Sequence, residues 1–442
     1  MKCVMKEKIK KSEFVRFFWF LFVYICYLYI LFVYKINKTD YFRRIHLKKL
    51  LEYAKMHSKY YNNLLKNTDI TYDNCIDTLH NLPILTKKII REQGTKIFSD
   101  NIGNCRWLNT GGSTGEPLSF PYKRSLLPYE ACHQLFLYKL MGWKYNEIIV
   151  SFSGYTPTPE QLCLNKIYRK KNNFPYGRYD FSSFYINEEY VSLYVNELNK
   201  IKPKIIRSYP SSLSELCKLI KSHNLKLTFE LKGIYVTSEL LTDDDEKIIR
   251  EVFNCPIWGQ YGHTEISIFA IKKDKQKEYV VSPFYGYTEI LDEHNKQVKN
   301  GERGEIIVTG FSSLGLPFIR YSTGDLAIYN TENNKNEIVI DGLQGRTVDY
   351  VIDNNNNRIF LTGFIFGNHL MAFNNIFAWQ LVQNKVGEVD MRIIKGDNYS
   401  ISDEQSLIKL FMNNNINVKM NYSDEIVKSK RGKRIFMIQN CK

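Results

Sequence analysis

The sequence predicts an α/β fold: a large domain on a mostly parallel sheet, a β portion after it, and a small α+β domain at the C-terminal end. Three observations carry this. Short apolar runs alternate with helix-patterned stretches to about residue 260, as strands linked by crossover helices do. From there to about residue 340, short strand-like segments are separated only by turns. Beyond Gly345 the pattern becomes strand, strand, helix.

Phe17 to Tyr34, FFWFLFVYICYLYILFVY, is eighteen residues without a charge. It just reaches the length of a membrane span, and Trp19 and its tyrosines suit a membrane interface. Basic residues stand on both sides, Arg16 before and Lys35, Lys38, Arg43 and Arg44 after. Three readings stay open: a span, a helix lying on or re-entering the membrane (contact through residues 14–36), and an aromatic helix packed on the next domain. No small-x-small cleavage site follows, which argues against a signal peptide.

His46 to Lys66 has apolar residues at helical spacing and reads as one surface helix. Leu85 to Glu92 reads as a linker entering a helix, Ser125 to Met141 as a helix, and Ile148 to Phe152 as a buried strand. Helices at Glu188–Lys200 and Ser211–His223 flank a strand at Lys204–Arg207, and Gly233–Thr237 is another strand. Thr242 followed by three aspartates is an N-terminal cap of a helix reaching Phe253 rather than a metal site. The β portion is expected at Tyr279–Val281, Thr288–Leu291, Glu305–Thr309, Ala327–Asn330 and Glu337–Ile340. The last part carries strands Trp379–Gln383 and Asp390–Lys395 and a helix Glu404–Met412; Asn354–Asn357 is a polar turn.

At 442 residues with 44% hydrophobic and 24% charged residues, the chain is long and apolar enough for more than one domain. The excess of 61 Lys+Arg over 46 Asp+Glu gives +15. No basic block dominates and no nucleic-acid motif is present, so the excess reads as lysines spread over solvated faces, with no nucleic-acid partner expected. The nine cysteines are scattered without a C-x-x-C pair, and no Cys/His cluster predicts zinc; a reducing cytosol fits this usage.

Five short motifs carry the chemistry. Leu108-Asn109-Thr110-Gly111-Gly112-Ser113-Thr114-Gly115-Glu116-Pro117 has the glycines a backbone nest around an anion needs, with hydroxyls beside them, but lacks the Gly-Lys-Ser/Thr of a Walker loop. Tyr261-Gly262-His263-Thr264-Glu265 follows the strand ending near Trp258. Tyr321-Ser322-Thr323-Gly324-Asp325 reads as closing a turn. Gly345-Arg346-Thr347-Val348-Asp349 stands where the domain character changes, and Lys428 to Arg434 is a basic stretch near the end. Each alone has an innocent reading as a turn, a linker or a solvated tail.

In this order and at these separations the motifs resemble the adenylate-forming superfamily, and within it the phenylacetate–CoA ligase-like enzymes of the branch named for capsular polysaccharide biosynthesis. The resemblance runs from about Asp40 to the end and includes LLEYAKMHSKYYNNLL, KPKIIRSYPSSLSEL, LPFIRYSTGDLAIY and IFAWQLVQN. It implies a large adenylate-forming N-terminal domain of α/β sheets plus a β portion, with a small mobile α+β C-terminal domain. Residues 1–45 would be a basic, aromatic N-terminal segment, 46–344 the adenylation domain and 345–442 the lid. It also implies an AMP-forming acid ligase using ATP and Mg²⁺, with a small carboxylic acid as substrate and coenzyme A or an amine as acceptor.

The same resemblance implies the site. Thr110, Gly111, Gly112, Ser113, Thr114 and Gly115 would cradle the β/γ phosphates, and Ser238, Glu239, Tyr261 and Gly262 would line the adenine. Thr264 would meet the α-phosphate, Glu265 would hold Mg²⁺, Asp325 the ribose, and Arg346 ribose or phosphate. Lys433 would bridge the carboxylate and the α-phosphate, then leave by rotation near residues 345–350. The acid pocket would be formed by Ser153–Tyr155, Tyr209–Ser211 and Tyr235–Ser238. The chain departs from the pattern at Glu116, at Val348 in the hinge, and at Asn354–Leu361, where a glycine-rich segment serving coenzyme A usually stands. The acceptor therefore stays open. A location in the cytoplasm, at the inner face of the membrane if residues 17–34 anchor the chain, follows from the need for ATP. The rival reading is a non-catalytic scaffold of the same fold in a polysaccharide assembly.

Overall fold

The computed structural model describes residues 2–103, 105–109, 118–123, 127–171, 177–330, 338–344, 350–361, 365, 370–428 and 435–441. The chain opens with helices α1 (Lys2–Lys35), α2 (Thr39–His57), α3 (Lys59–Leu65), α4 (Cys75–His80) and α5 (Lys87–Gln93). The single helix expected over His46–Lys66 is thus two. The chain breaks at Ser58, whose extended backbone ends α2 and whose hydroxyl caps α3 by accepting the Tyr61 N–H. Serine competes with helical bonding through such local contacts, and apolar periodicity does not register it.

A two-stranded ladder follows, β1 (Cys105–Asn109) and β2 (Ser119–Lys123), then α6 (Leu127–Leu140). The alternating region is β3 (Ile149–Ser153), α7 (Pro159–Cys163), β4 (Tyr168–Lys170), β5 (Tyr179–Ser182), α8 (Val191–Ile201), β6 (Ile205–Ser208), α9 (Pro210–Ser222), β7 (Gly233–Thr237), α10 (Asp243–Phe253) and β8 (Ile257–Gly262). The strands β5, β3, β6, β7 and β8 pair in parallel in that order. The short β4 and β5 had no sequence signal, because three or four residues are too few to show a period. Thr242 caps α10 as expected, accepting the Asp245 N–H at 3.1 Å.

The β portion consists of β9 (Phe269–Lys272), β10 (Tyr279–Val281), β11 (Gly286–Leu291), β12 (Arg303–Gly310), β13 (Tyr321–Asn330) and β14 (Val339–Gln344). It is not a separate sheet. The antiparallel β8–β9 pair joins it to the parallel strands, giving one twelve-stranded sheet in the order β11-β12-β13-β14-β10-β9-β8-β7-β6-β3-β5-β4. Tyr321–Asp325, expected to close a turn, lies inside β13. The β12–β13 register slips there, from Glu305↔Leu326 to Ile307↔Ser322, so the extra β13 residues bulge out. Gly324, at φ +74, supplies the backbone freedom.

The parallel part of the sheet is packed on both faces, as its near-continuous apolar strands require. Alternate residues point to opposite layers. Ile149, Ile205 and Tyr235 join a core with α1 and α6, whereas Val150, Ile206, Ile234 and Val236 join one with α8, α9 and α10.

The C-terminal region holds β15 (Tyr350–Ile352), β16 (Arg358–Phe360), β17 (Ile376–Lys385), β18 (Glu388–Lys395), α11 (Ile401–Met412), β19 (Asn417–Tyr422) and β20 (Met437–Gln439). Its four-stranded sheet, β19-β18-β17-β20, has its own core around Trp379, Leu381, Met391 and Phe411. Polar contacts tie it to α9: Lys218 Nζ donates to the Ile376 and Phe377 carbonyls at 3.1 and 2.8 Å, and Lys428 Nζ lies 2.9 Å from Glu215 Oε2.

Candidate active site

Tyr261 and Gly262 close β8, and the chain then turns tightly. Ile266 N–H donates to the His263 carbonyl at 3.1 Å and Ile266 sits at φ +54, a conformation unusual for a β-branched residue. Thr264 lies in this turn and Glu265 is carried inward by it. The Glu265 carbonyl is held by the Ser267 and Ser313 hydroxyls at 3.1 and 2.9 Å. Gly262 sits in a tight place: a Cβ there would stand 3.0 Å from the Ile268 carbonyl oxygen, so the neighbouring backbone would have to give.

The bulged strand β13 faces this turn. Tyr261 donates its hydroxyl to Asp325 Oδ2 at 2.7 Å, and the Tyr321 hydroxyl donates to Glu265 Oε1 at 3.1 Å. Two motifs sixty residues apart therefore meet at both ends. The Asp325 N–H also donates to the Thr323 hydroxyl at 3.1 Å, which fixes the backbone of the aspartate.

Glu265 is buried, and burial works against its charge. His263 beside it outweighs that, with Nδ1 3.3 Å from Oε2, and Lys87 at the start of α5 adds to it, so the carboxyl is held down to about 2. The His263 contact falls outside hydrogen-bond geometry, and neither ring nitrogen has a hydrogen-bond partner. Glu265 is thus a buried carboxylate held in its ionised form and oriented by Tyr321. His263, Tyr321 and Lys87 were given no role from sequence. The first two stand inside quoted motifs, whereas nothing local marked Lys87.

Ser238 follows β7 at φ +72, so the chain departs sharply from the sheet next to the end of β8. Glu239 Oε2 accepts the Ser211 N–H at 3.2 Å. Ser211 is in the first turn of α9, where a carboxylate complements exposed amides. Glu239 thereby ties the end of β7 to α9.

Beneath these strand ends lies a polar cluster in which Tyr235 and Thr237, from a stretch expected to form the acid pocket, meet Arg207, Gln134, Gln260 and Glu130, which carry no role from sequence. The Tyr235 hydroxyl receives Arg207 Nε–H at 3.3 Å and sits 3.0 Å from Gln134 Oε1 and beside Gln260 Oε1. Thr237 donates to the same Gln260 oxygen at 3.1 Å. Glu130 on α6 accepts from Tyr285 and Gln134, and burial pushes its carboxyl up, against those bonds and the pull of Arg207. Towards β5, the buried Asp180 accepts from Ser151 and Ser153 at 2.9 and 2.6 Å, and Lys171 Nζ and Arg169 Nη2 lie 2.6 and 3.0 Å from it.

Of the sequence-predicted residues, Tyr261, Gly262, Thr264, Glu265 and Asp325 come together, with Ser238 and Glu239 at the neighbouring strand end. Thr110, Gly111, Gly112, Ser113, Thr114, Gly115, Arg346 and Lys433 lie outside the described residues. The flanks of the glycine loop are described. β1 and β2 pair antiparallel with Asn109 opposite Ser119. β2 presses on the segment before β13: a Cβ on Gly315 would fall 2.1 Å from the Pro121 carbonyl oxygen, and the Phe120 and Phe318 rings lie 5.0 Å apart.

No protein-family model matches the chain. Protein CapK from Staphylococcus aureus is 24% identical over 407 residues, covering 89% of this chain and 88% of that protein. Among solved structures, 2-hydroxyisobutyryl-CoA ligase in the postadenylation state in complex with R3-HIB-AMP matches with TM-score 0.68 and 15% identity, over 90% of this chain and 88% of that one. The same ligase in an open conformation with 2-HIB-AMP and CoA gives TM-score 0.55 and 15% identity, over 89% and 90%. A benzoate CoA ligase from Burkholderia xenovorans LB400 gives TM-score 0.51 and 15% identity, over 74% and 66%.

Proposed function

Because the chain has the fold of the AMP-forming acid–CoA ligases, we propose that it is an ATP-dependent ligase that activates a carboxylic acid as its acyl-adenylate. A carboxylate oxygen bonds to the α-phosphorus of ATP, the bond to the bridging oxygen breaks, and pyrophosphate leaves with the electron pair. A thiol or amine then attacks the acyl carbon and displaces AMP. The observation that carries this reading is the joining of Tyr261 and Glu265 to Asp325 and Tyr321, beside the C-terminal ends of the parallel strands, where open α/β sheets bind ligands.

Tyr261 and Asp325 would hold the adenosine, with Asp325 offering its carboxylate to the ribose hydroxyls and Ser238, Glu239 and Gly262 bordering the base. Thr264 would meet the α-phosphate, and Thr110–Gly115 the outer phosphates, with Arg346 on ribose or phosphate. Mg²⁺, when bound, offsets phosphate charge. Glu265 fits it as a buried, ionised carboxylate. Among the described residues no group of three His, Cys, Asp or Glu side chains could hold a metal, so ATP itself would supply further ligands. Lys433 would close on the α-phosphate from a lid formed by residues 345–442. The acyl acceptor is coenzyme A or an amine, and the setting is surface-polysaccharide biosynthesis at the cytoplasmic face of the membrane.

The test is ATP–pyrophosphate exchange with a panel of small acids. Wild type should exchange with at least one acid, and Lys433→Ala should lose exchange while still binding ATP. Exchange with no acid, together with no ATP binding, would favour the scaffold.

A further inference from the structure

Helix α1 is clamped along one side to the body of the protein. Val23, Ile30 and Val33 are 0, 9 and 7% exposed and join the core that contains α6. Ring contacts run the length of the apolar segment. Phe17 and Phe20 meet Tyr145 at 6.0 and 4.4 Å, Tyr27 meets Phe136 at 6.2 Å, and Tyr34 meets Phe284 at 6.5 Å. The Lys139 ammonium of α6 lies 5.5 Å from the Tyr24 ring centre.

The other side is apolar and about half exposed, with Tyr29 also meeting the Phe42 ring of α2 at 6.4 Å. Phe18, Phe22, Ile25, Tyr29 and Phe32 follow one another at spacings of four and three, the period of a single helical stripe, and are 51, 50, 57, 56 and 59% exposed. Phe17–Lys35 is nineteen residues, about 28 Å at the helical rise, enough to cross a bilayer by length alone. The clamp argues against crossing, because a helix docked from Phe17 to Tyr34 would drag α6 and the Lys139 charge into hydrocarbon.

We propose that α1 is an in-plane membrane anchor: docked on the folded body by its Val23–Ile30–Val33 face, it presents the Phe22–Ile25–Phe32 stripe to an anionic bilayer surface. Charge identifies the occupant. Residues 2–16 carry six basic and two acidic side chains, a net +4, and Lys35, Lys38, Arg43 and Arg44 follow the apolar segment. Basic ends around an uncharged aromatic stripe match an anionic headgroup layer over acyl chains. A second copy of the chain fits less well. The apolar segment has no charged residue to set a paired helix in register, and like-charged ends would meet in a parallel pair.

Flotation of the full chain with phosphatidylglycerol-containing vesicles tests this. Wild type should float with these vesicles and less with pure phosphatidylcholine. The triple variant F22S/I25S/F32S should float about tenfold less while keeping its thermal midpoint and any ATP–pyrophosphate exchange. A membrane-impermeant thiol reagent added outside the vesicles should label both Cys3 and the exposed Cys163, read by peptide mass spectrometry. Protection of Cys3 with labelling of Cys163 would mean a spanning helix and overturn the proposal. So would failure of wild type to float. A wild-type dimer that the triple substitution makes monomeric, without flotation, would assign the stripe to a second copy.

Discussion

Glu265→Gln is expected to lower ATP–pyrophosphate exchange by at least on the order of 100-fold, since even groups that only support a metal's ligands cost 10–100-fold when lost. The substitution keeps size and shape, and the Tyr321 hydroxyl can still donate to the amide oxygen, so the loss reads charge rather than collapse. Unchanged exchange would remove Glu265 from the site. The same carboxyl makes a pH statement. Its value falls from 4.5 in the unfolded chain to about 2 in the fold, because the neighbouring His263, helped by Lys87, overcomes the burial that opposes its charge. A depressed folded value means that the stabilisation is fully present above 4.5 and is lost as pH falls from there to about 2. Glu265→Gln should therefore flatten the acid-unfolding curve in that window, measured by fluorescence. Wild-type exchange should show no loss from Glu265 protonation between pH 6 and 5.

Arg320→Ala is expected to cost about 3–5 kcal/mol, the range for removing one partner of a buried ion pair. The Arg320 guanidinium forms a fork on Glu289, with Nε 3.1 Å from Oε2 and Nη2 2.9 Å from Oε1. Its Nη1 donates to the His80 and Leu82 carbonyls, each at 2.7 Å. One side chain thus fastens α4 and the residues after it to the large sheet. Its backbone is also committed, with φ +50, its N–H on the Thr309 hydroxyl and its carbonyl on Leu85 N–H. Truncation leaves Glu289 and two carbonyls buried without their donor. A urea titration should show the lower midpoint, and Arg320→Met with Glu289→Leu should be less destabilised than Arg320→Ala, because no unpaired charge remains. Arg320 directly precedes Tyr321, so exchange should fall with stability. A loss below about 1 kcal/mol would mean that the pair is already solvated.

These two residues mark where sequence reasoning reached and where it stopped. Glu265 and Asp325 are candidates from sequence because each stands in a short motif of the family resemblance, and the structure brings those motifs together. Arg320 lies one residue before such a motif and carried no signal of its own. Its fork depends on Glu289, thirty-one residues earlier, and on carbonyls near residue 80. Arg207 and Glu130 are similar. Each looks like an ordinary charge on a strand or helix until α6 and the sheet bring them into one polar cluster.

Local chemistry was enough for the α/β class, the alternation to residue 260 and the cap at Thr242, since periodicity, turn residues and helix caps act within a few residues. Only the tertiary structure decided that the parallel and antiparallel strands form one sheet, that Tyr321–Asp325 is a bulged strand, and that Tyr261 meets Asp325. It also decided that the Phe17–Tyr34 part of α1 has one covered face and one largely exposed one, although all eighteen apolar residues look alike in sequence. Strand pairing, burial and the charge of Glu265 depend on groups far apart along the chain. Their energies are settled when the layers close on one another.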